Sequence, residues 1–445
     1  MDPFFADLRR REYSRLDRLA EAYLDYTGSA LYSDTQITRH TQRLKEGVFG
    51  NPHSENGPSR RSTMFIEEAR ERVLRFLDAS AEDYSVIFTA NTSAAIKLVA
   101  ESYPFGQHAS LTLAADNHNS MNGIREFALR AGAAVDYLPL DDDLQLADAD
   151  THLERNKSPG LFGFPAQSNF SGVRHPLDLV DVAHAHGYDV LLDAAAFLPT
   201  SRLSLRKVAA DFVVFSAYKV LGFPTGVGAL VARRDAAARL TRPWFAGGTV
   251  EYASVQHRRH LLQSGPAGFE DGTPAFLDIA ALSDGFDFIE SLDANRVSAH
   301  LHCLTTYASA RIEGLGHSDG SPLTEIYGPA SRSDHGATIA FNVIRRDGTA
   351  VPFIDVVERA RAASVSLRGG CFCNPGAAEA AFEFPAAKTR SCLDSLDASG
   401  FSIERLAECL GPGARVGAVR ASFGIPTNRS DIDRAVDVIE SFRGS

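Results

Sequence analysis

Two side chains that can do acid–base chemistry directly follow apolar stretches typical of buried strands. Asp193 is the second aspartate in the stretch YDVLLDAA, and Lys219 is the last residue of the stretch DFVVFSAYK. A carboxylate after a buried strand needs a partner, because unpaired buried charge is costly. A lysine in this position is a candidate nucleophile that forms an imine with a carbonyl group. The alternative for Lys219 is a surface lysine that lies past a strand by chance.

A third polar group follows the apolar stretch YSVIFTA. Asn91, Thr92 and Ser93 come next and open a helical pattern. A helix N-terminus with hydroxyl side chains binds phosphate well, although the segment alone fits a simple N-cap equally. An acid, a lysine and a phosphate-binding helix end together indicate pyridoxal phosphate. The acid would keep the pyridine nitrogen protonated, the lysine would form the imine, and the helix end would hold the phosphate.

Two cysteines stand one residue apart in SLRGGCFCNPGA, where Cys371 and Cys373 follow Arg368 and two glycines. A zinc site would need about four ligands, and no second pair has a suitable spacing, so we expect no metal. A disulfide between the two would close a strained ring. Burial in the core is a fair interpretation of Cys371. For Cys373 we favour a reactive thiol, because the positive charge of Arg368 would increase its thiolate fraction.

Strands and helical patterns alternate over the first 300 residues. One helical pattern places Ile66, Ala69, Val73 and Leu77 on a single face, and another, LDLVDVAHAHG, ends at Gly187. The stretch GLFGFPA reads as a further buried strand. This alternation predicts a doubly wound, largely parallel sheet. Ligands of such sheets bind at the carboxyl ends of the strands, where the reactive groups above are expected.

The pattern changes after about residue 300. TIAFNVI alternates apolar and polar residues, as a half-exposed antiparallel strand does, and VRASFG is a candidate second strand. A capping-box pattern, SDID, predicts a last helix that starts at Ser430, with Ile432, Val436, Ile439 and Phe442 on one face. We expect three parts: an N-terminal segment, 1–20, packed on the small domain; a large cofactor-binding domain, 21–299; and a small α+β domain, 300–445.

Composition narrows the function classes. The net charge of −11 over 445 residues argues against nucleic acid as a partner, because phosphate backbones need concentrated Lys and Arg. No apolar stretch approaches the roughly 20 residues that a membrane-crossing helix needs, and the charged N-terminus does not resemble a signal peptide. Five cysteines in so long a chain argue against a disulfide scaffold. We expect a cytoplasmic protein with reduced thiols and no membrane association.

Many motifs occur in an order known from one enzyme family. They are YLDYTGSALYS, GNPHS, NHNSMNGIREFA, FPAQSNFSGVRHP, LLDAAAF, ADFVVFSAYKVLGFPTG, FEDGTPAFL and RGGCFCNPG. Over nearly the whole chain the sequence resembles the class V aminotransferase-like pyridoxal-phosphate enzymes of fold type I, the family of the cysteine desulfurases. Within that family it is most similar to the pyridoxal-phosphate domain of molybdenum cofactor sulfurases. The resemblance implies a large domain with a mostly parallel sheet of the seven-stranded type and a smaller C-terminal α+β domain.

The resemblance also implies how the cofactor is held. Lys219 would form the imine, Asp193 would pair with the pyridine nitrogen, and His118 would stack on the ring. The other implied cofactor contacts are Thr92, Ser93 and Ser216 on the phosphate, Asn169 on the ring hydroxyl, and Gly248 with Thr249 on the phosphate of a second subunit. The role of the last pair follows from the resemblance as well, because members of the family are usually dimers, and we expect a homodimer.

For the substrate, the resemblance implies that Arg368 clamps the carboxylate of L-cysteine, with Asn169 as an alternative contact, and that Cys373 accepts the sulfur. The expected function is a cysteine desulfurase that forms L-alanine and an enzyme persulfide for an acceptor protein or cofactor. The alternative is another class V reaction, such as a C–S lyase, an epimerase or an aminotransferase. A protein that serves only as a scaffold is disfavoured by the set of Lys219, Asp193 and His118.

Some positions depart from the family pattern. Ala196 stands where many cysteine desulfurases have glutamine or histidine, and Tyr218 precedes the lysine where many have histidine. The sequence ends at Ser445, without the C-terminal domain with which eukaryotic sulfurases bind the molybdenum cofactor. We therefore expect desulfuration more firmly than delivery of sulfur to molybdenum.

Overall fold

The computed structural model describes residues 2–329, 334–396 and 400–444. Its strands are β1 Ala22–Tyr23, β2 Tyr84–Thr89, β3 Leu111–Ala114, β4 Val135–Leu138, β5 Leu161–Pro165, β6 Asp189–Asp193, β7 Phe212–Ser216, β8 Gly228–Arg233, β9 Val250–Ser254, β10 Arg259–Leu262, β11 Thr324–Tyr327, β12 Thr338–Val343, β13 Val365–Ser366, β14 Arg368–Gly370 and β15 Ala418–Ser422. Within the described ranges, no helix combines the length and the apolar character that a membrane crossing requires.

The helices connect and cover these strands. They are α1 Pro3–Glu12, α2 Arg15–Arg18, α3 Asp34–Glu46, α4 Gly57–Phe76, α5 Thr92–Ser102, α6 Asn119–Asn122, α7 Ile124–Arg130, α8 Ala149–Arg155, α9 Leu179–Ala185, α10 Ala217–Leu221, α11 Arg234–Ala237, α12 Phe276–Glu290, α13 Ala294–Glu313, α14 Phe353–Ala362, α15 Pro375–Ala381, α16 Ala386–Ser395, α17 Ile403–Leu410 and α18 Arg429–Glu440, with a short 3₁₀ helix at Gly265–Gly268.

The large sheet has seven strands in the order β2-β8-β7-β6-β5-β3-β4. The pairs from β7 to β4 are parallel, whereas β8 runs antiparallel to both of its neighbours. The predicted largely parallel sheet is therefore confirmed. The stretches expected to be strands before Asp193, Lys219 and Asn91 form β6, β7 and β2. Their carboxyl ends bring the chemically reactive segments toward one region of the molecule.

Apolar cores lie on both faces of this sheet, because successive strand residues point in opposite directions. In β2, Val86 and Phe88 pack into one core, whereas Ile87 packs into the other. The predicted helical face is buried on the first side, where Ile66 and Val73 of α4 lie in the same core as Val86. Burial of the sheet on both faces explains why its strands are apolar at nearly every position.

The smaller sheet is antiparallel, with the order β11-β12-β15-β14. The two strands predicted here exist, but the predicted half-exposure is wrong, since every residue of β12 and β15 is buried. The reason is a second apolar cluster on the other face. Ile339 and Phe341 pack among the helices of the small domain, while Ala340 packs with Phe170 and Phe372.

The last helix starts earlier than the sequence pattern predicts. Its N-cap is Asn428, and a reciprocal capping box joins Asn428 to Asp431, so the predicted start at Ser430 is wrong. Asparagine caps a helix as well as serine does, and here the Asn428 backbone lies in the extended geometry that a cap needs. The predicted apolar face is correct, with Ile432, Val436, Ile439 and Phe442 all buried.

The N-terminal residues contact the C-terminal part of the chain. Arg9 of α1 forms a buried ion pair with Asp431 at 2.5 Å, and β1 pairs in parallel with β13. Phe5 stacks on His300 of α13 with the ring centroids 3.8 Å apart. These contacts support an N-terminal segment that packs on the small domain. The domain bounds at 20/21 and 299/300 stay a prediction.

One expectation about the cysteines is wrong. Cys392 of α16 and Cys409 of α17 form a disulfide, whereas the sequence predicted that all thiols are reduced. The two helices bring the Cα atoms to 5.8 Å, a separation that suits a disulfide. Sequence spacing did not reveal the pair, because the packing of α16 against α17 sets this distance. Cys303, Cys371 and Cys373 are free thiols.

Candidate active site

A cavity of about 180 Å³, partly open to solvent, lies at the carboxyl ends of β2, β5, β6 and β7. Seven predicted site residues line it: Thr92, Ser93, His118, Asn169, Asp193, Ser216 and Lys219. These residues come from five separate segments between positions 92 and 219, and the parallel sheet brings them together. The position agrees with the general rule for ligands of open α/β sheets.

Lys219 lies on α10, the short helix that follows β7. Burial lowers the pKa of its amine; the carboxylate of Asp193 opposes this effect, while the positive charges of Arg420 and Arg368 add to it. A lowered pKa increases the fraction of neutral amine near neutral pH. A neutral amine can act as a nucleophile or accept a proton, so the environment of Lys219 suits both roles.

Asp193 and His118 also line the cavity. The Asp193 carboxylate accepts a hydrogen bond of 2.9 Å from the backbone N–H of Ala195, which fixes its orientation at the end of β6. His118 caps the short helix α6, and its Nδ1 accepts a hydrogen bond of 3.1 Å from the backbone N–H of Ser120. Burial lowers the pKa of His118, with Asp193 acting in the opposite direction. The imidazole is therefore favoured in its neutral form.

Hydroxyl groups and the N-terminus of α5 form one end of the cavity. Asn91 caps α5, and the Ser216 hydroxyl accepts a hydrogen bond of 2.8 Å from the backbone N–H of Thr92. The hydroxyls of Thr92 and Ser216 lie 2.6 Å apart. Gly228 allows β8 to approach this corner, because a Cβ there would lie 2.4 Å from the backbone of Asn91. The glycine therefore serves close packing of one backbone segment against another.

Hydrogen bonds to the large domain hold the loop that carries Cys373. The side chain of Asn169 donates to the backbone carbonyl of Phe372 at 2.7 Å, and the backbone N–H of Asn119 donates to the carbonyl of Cys373 at 2.7 Å. Phe372 and Cys373 both have a φ of 57°, a left-handed conformation that is uncommon for residues other than glycine. These contacts anchor the loop on the large domain.

The two cysteines of this loop have different surroundings. Cys373 is exposed and lies outside the lining of the cavity, and its thiol acts to raise the pKa of both Lys219 and Arg368. Cys371 is half-buried and packs in the apolar cluster that contains Phe170 and Phe372. This difference supports the reactive role predicted for Cys373 and the packing role for Cys371.

Arg368 lies near the cavity but has a partner that the sequence did not reveal. Its guanidinium donates to both carboxylate oxygens of Asp25, with distances from 2.6 to 3.0 Å. Arg420, which is buried, donates to the same carboxylate at 3.0 Å and to the backbone carbonyl of Asn169 at 2.7 Å. Burial lowers the pKa of Arg420 to about 10. Two guanidinium groups share one carboxylate, and this leaves a net positive charge beside the cavity.

Gly248 and Thr249 lie outside the cavity lining of this chain. Thr249 is buried, and its hydroxyl donates to the backbone carbonyl of Ala246 at 2.9 Å. Gly248 has a φ of 87° and lies beside the ring of His53, in the segment GNPHS. A contact with the phosphate of a second subunit stays a prediction.

The donor set of the cavity fits pyridoxal phosphate. Lys219 supplies a buried amine that could react with the aldehyde of the cofactor. Asp193 supplies a carboxylate that could pair with a protonated pyridine nitrogen. The hydroxyls of Thr92 and Ser216 at the start of α5 suit a phosphate group. His118 supplies an aromatic ring among the same lining residues.

Sequence reasoning missed several residues of this region. Gln167 and Ser120 line the cavity, although both belong to motifs that were recognised, and Gln167 follows the end of β5. The rule that ligands bind at strand carboxyl ends could have found Gln167. Arg420 had a weaker signal, an arginine within an otherwise apolar strand. Asp25 had none, because its contacts depend on pairing with residues more than 340 positions away.

Comparison with known proteins decides the family. The model of the family described as aminotransferase class-V matches residues 22–435. The chain belongs to the class-V aminotransferase family. Among curated proteins, this class-V chain is 35% identical to the molybdenum cofactor sulfurase of Arabidopsis thaliana over 98% of its own length and 58% of the relative. It is 35% identical to the Homo sapiens molybdenum cofactor sulfurase over 96% of its length and 50% of the relative. The class-V chain thus spans about half the length of the curated relatives it matches.

Solved structures support the same fold. A cysteine desulfurase from Thermococcus onnurineus matches the class-V chain with a TM-score of 0.80 and 23% identity, covering 98% of this chain and 97% of the other. A cysteine desulfurase from Escherichia coli matches with a TM-score of 0.77 and 22% identity, covering 98% of each chain. At these identities the likeness shows the fold, and the predicted fold type I is confirmed.

Proposed function

We propose that this chain is a pyridoxal-phosphate-dependent cysteine desulfurase of the molybdenum-cofactor-sulfurase type. The observation that carries the proposal is the position of Cys373, an exposed thiol close to both Lys219 and Arg368 at a cavity suited to the cofactor. A nucleophilic thiol beside an amine base and a carboxylate-binding group is the set that removal of sulfur from L-cysteine requires. The relatives described as molybdenum cofactor sulfurases support the same function.

The residues around the cavity divide the chemistry among them. When bound, pyridoxal phosphate supplies an electron sink next to the Cα atom of an amino acid substrate. Lys219, whose pKa is lowered by burial, can accept the proton from Cα and return it later. The carboxylate of Asp193 would stabilise a protonated pyridine nitrogen in the cavity. His118 presents its imidazole ring to the same cavity, and its lowered pKa favours the neutral form.

Arg368 would bind the substrate carboxylate. The guanidinium groups of Arg368 and Arg420 share the single carboxylate of Asp25, so an incoming carboxylate would balance the remaining positive charge. Asn169 lines the cavity next to the Cys373 loop and offers a further polar contact. The substrate would thereby be oriented with its sulfur toward Cys373.

The sulfur step consumes only the thiol and the substrate, because the cofactor is regenerated. The Cys373 thiolate attacks the sulfur of L-cysteine, an S–S bond forms, and the C–S bond breaks with its electron pair retained on the carbon side. A proton completes L-alanine, and Cys373 keeps the sulfur as a persulfide. The sum of L-cysteine and one thiol equals the sum of L-alanine and one persulfide. The persulfide would pass to an acceptor protein or cofactor.

We also infer that two copies of the chain form a homodimer and that the protein acts in the cytoplasm. The exposed apolar hairpin β9–β10, which directly follows Gly248 and Thr249, supports the dimer. The disulfide between Cys392 and Cys409 does not support a reducing compartment, so the cytoplasmic location rests on the sequence alone.

The test is product analysis of the purified holoenzyme with L-cysteine. We expect equal amounts of L-alanine and protein persulfide in a single turnover, with Lys219→Ala as the inactive control. Pyruvate and ammonia would show a C–S lyase and would contradict the proposal. D-cysteine would indicate an epimerase, and a keto acid with aminated cofactor would indicate an aminotransferase.

A further inference from the structure

A second cavity lies behind the candidate active site, and nothing in the proposed reaction uses it. It has a volume of about 360 Å³, is partly open to solvent, and receives residues from α4, the loop after β6, α10, α12, the start of α13 and the small domain. Its apolar side is formed by Phe76, Phe197, Leu198, Val220, Ile289, Leu292, Val297 and Ile425. A cavity of this size and character can hold a small organic molecule.

Two arginines without an ion-pair partner line this cavity. Within the described ranges, neither Arg174 nor Arg202 lies within 4 Å of a carboxylate oxygen. Arg174 donates to the side-chain oxygen of Gln167 at 3.3 Å. Desolvation lowers the pKa of both guanidinium groups, and the more distant carboxylates of Asp334 and Glu290 compensate only in part. An anion inside the cavity would supply the missing counter-charge.

Each arginine also lies over an aromatic ring. The guanidinium carbon of Arg174 is 5.8 Å from the ring centroid of Phe197, and that of Arg202 is 4.9 Å from the ring centroid of Phe76. Such contacts fix the planes of the two groups and favour cations at these positions. Charged groups and flat apolar surfaces therefore lie side by side in the same cavity.

Two hydroxyl groups in the lining lack a partner. The side-chain oxygens of Thr200 and Ser201 are buried and make no hydrogen bond within the described part of the chain. Buried polar atoms normally find a partner, so an unpaired pair points to a bound molecule or water.

We propose that this second cavity binds a small organic anion, with its carboxylate or phosphate between Arg174 and Arg202 and its apolar or aromatic part against Phe76 and Phe197. The proposal goes beyond the proposed function, because it holds whichever reaction the neighbouring site performs. The site is separate from the cofactor cavity, whose lining shares no residue with it.

Titration of the holoenzyme with phenyl phosphate tests the proposal, with calorimetry as the readout. Bound cofactor occupies the phosphate-binding end of the first cavity and keeps the probe from it. We expect saturable binding of one probe per chain, and weaker binding of inorganic phosphate, which lacks the ring. Equal affinity for the two probes would contradict the apolar half of the proposal, and no binding of phenyl phosphate would overturn it.

Variants locate the probe. Arg202→Gln should weaken phenyl phosphate binding about tenfold or more, which is the loss expected for one hydrogen bond to a charged group. Arg202 is exposed on one side, so this variant should fold. Arg206→Gln is the matched control, since Arg206 lies on the same segment, pairs with Asp78 and is absent from this lining. Unchanged affinity in Arg202→Gln, or an equal loss in Arg206→Gln, would show that the probe binds elsewhere.

Discussion

Cys371 and Cys373 occupy the same short loop, yet only one of them faces the reactive groups. The Cys373 thiol is exposed near Lys219 and Arg368, whereas Cys371 packs against apolar side chains. The left-handed backbone at Phe372 and Cys373 turns the chain so that the two side chains point to different surroundings. Accessibility and neighbouring charge, more than sequence distance, separate a reactive thiol from a packing thiol.

Replacement of each cysteine should therefore give different results. In Cys373→Ala, we expect L-alanine formation to fall by orders of magnitude and the loop to carry no persulfide, while the cofactor still binds. Cys371→Ala should keep most of the activity, because it removes only apolar contacts. Peptide mass spectrometry after a short pulse of L-cysteine measures which thiol carries the extra sulfur. A normal rate in Cys373→Ala, with sulfur on Cys371, would reverse the assignment.

A second prediction at this scale concerns Arg368. Arg368→Ala should raise KM for L-cysteine about tenfold or more, since a hydrogen-bonded pair of charges contributes roughly 1.5–3 kcal/mol. Cofactor affinity should change little. Arg368→Lys should restore binding only in part, because an ammonium group cannot reproduce two parallel hydrogen bonds. Steady-state kinetics and cofactor titration measure the two effects separately.

The control for this substitution is Arg296→Ala. Arg296 is an exposed arginine on α13 that pairs with Asp2, and it does not belong to the candidate site. It should leave KM unchanged. If Arg368→Ala loses the cofactor while KM stays constant, Arg368 serves the cofactor and not the substrate carboxylate.

Among the elements, α18 shows how a local pattern can mislead by two residues. Both Ser430 and Asn428 are good capping residues, and the sequence alone does not rank them. The structure places Asn428 at the N-cap because its neighbour in space, Asp431, also receives the buried guanidinium of Arg9. Asn428→Ala should lower the free energy of unfolding by about 1 kcal/mol, whereas Ser430→Ala, at an exposed position, should not change it. Urea denaturation measures both; equal losses would favour the start at Ser430.

The disulfide between α16 and α17 predicts how many thiols a reagent can label before and after reduction. The chain has five cysteines, of which three are free. After unfolding without reductant, a thiol reagent should label Cys303, Cys371 and Cys373, and after reduction it should label all five. Labelling of five thiols in unreduced protein would contradict the pairing of Cys392 with Cys409. Mass spectrometry of the labelled chain makes the measurement.

Strands β2, β6 and β7 of the large sheet were among the most predictable elements. Both of their faces are buried, so each appears in the sequence as a continuous apolar stretch that ends in a polar residue. Lys219, Asp193 and Thr92 were predictable for the same reason, since each follows such a stretch. The exposure of β12 was not predictable, because the cluster around Phe170 that covers its second face comes from another part of the chain. The Asp25 contacts were hidden for the same reason.

On the scale of the whole molecule, the hairpin β9–β10 projects apolar side chains into solvent. Tyr252, Val255 and Leu261 are 65%, 96% and 67% exposed. Exposed apolar patches of this kind mark interaction surfaces. We expect the protein to sediment at twice the chain mass of 48.1 kDa. The double substitution Val255→Asp with Leu261→Asp should shift it to the mass of one chain, as sedimentation velocity measures.

Leu129→Asp serves as the control for this prediction. Leu129 is 57% exposed on α7, away from the hairpin in sequence, and its replacement should leave the sedimentation unchanged. A dimer that survives the double substitution would place the contact between copies on another surface. If the monomer also loses activity while cofactor binding weakens, the prediction that Gly248 and Thr249 reach a second subunit gains support.

The shared carboxylate of Asp25 has a consequence for the time at which the enzyme becomes competent during synthesis. The residues of the large sheet lie between positions 84 and 233, so this sheet can form while the ribosome is still adding the later part. Asp25, however, waits for Arg420, which is translated 395 residues after it. Until Arg368 is made, 343 residues after Asp25, its carboxylate has neither of its guanidinium partners. The nascent chain can therefore acquire a cofactor cavity well before it acquires the charged corner that selects an amino acid.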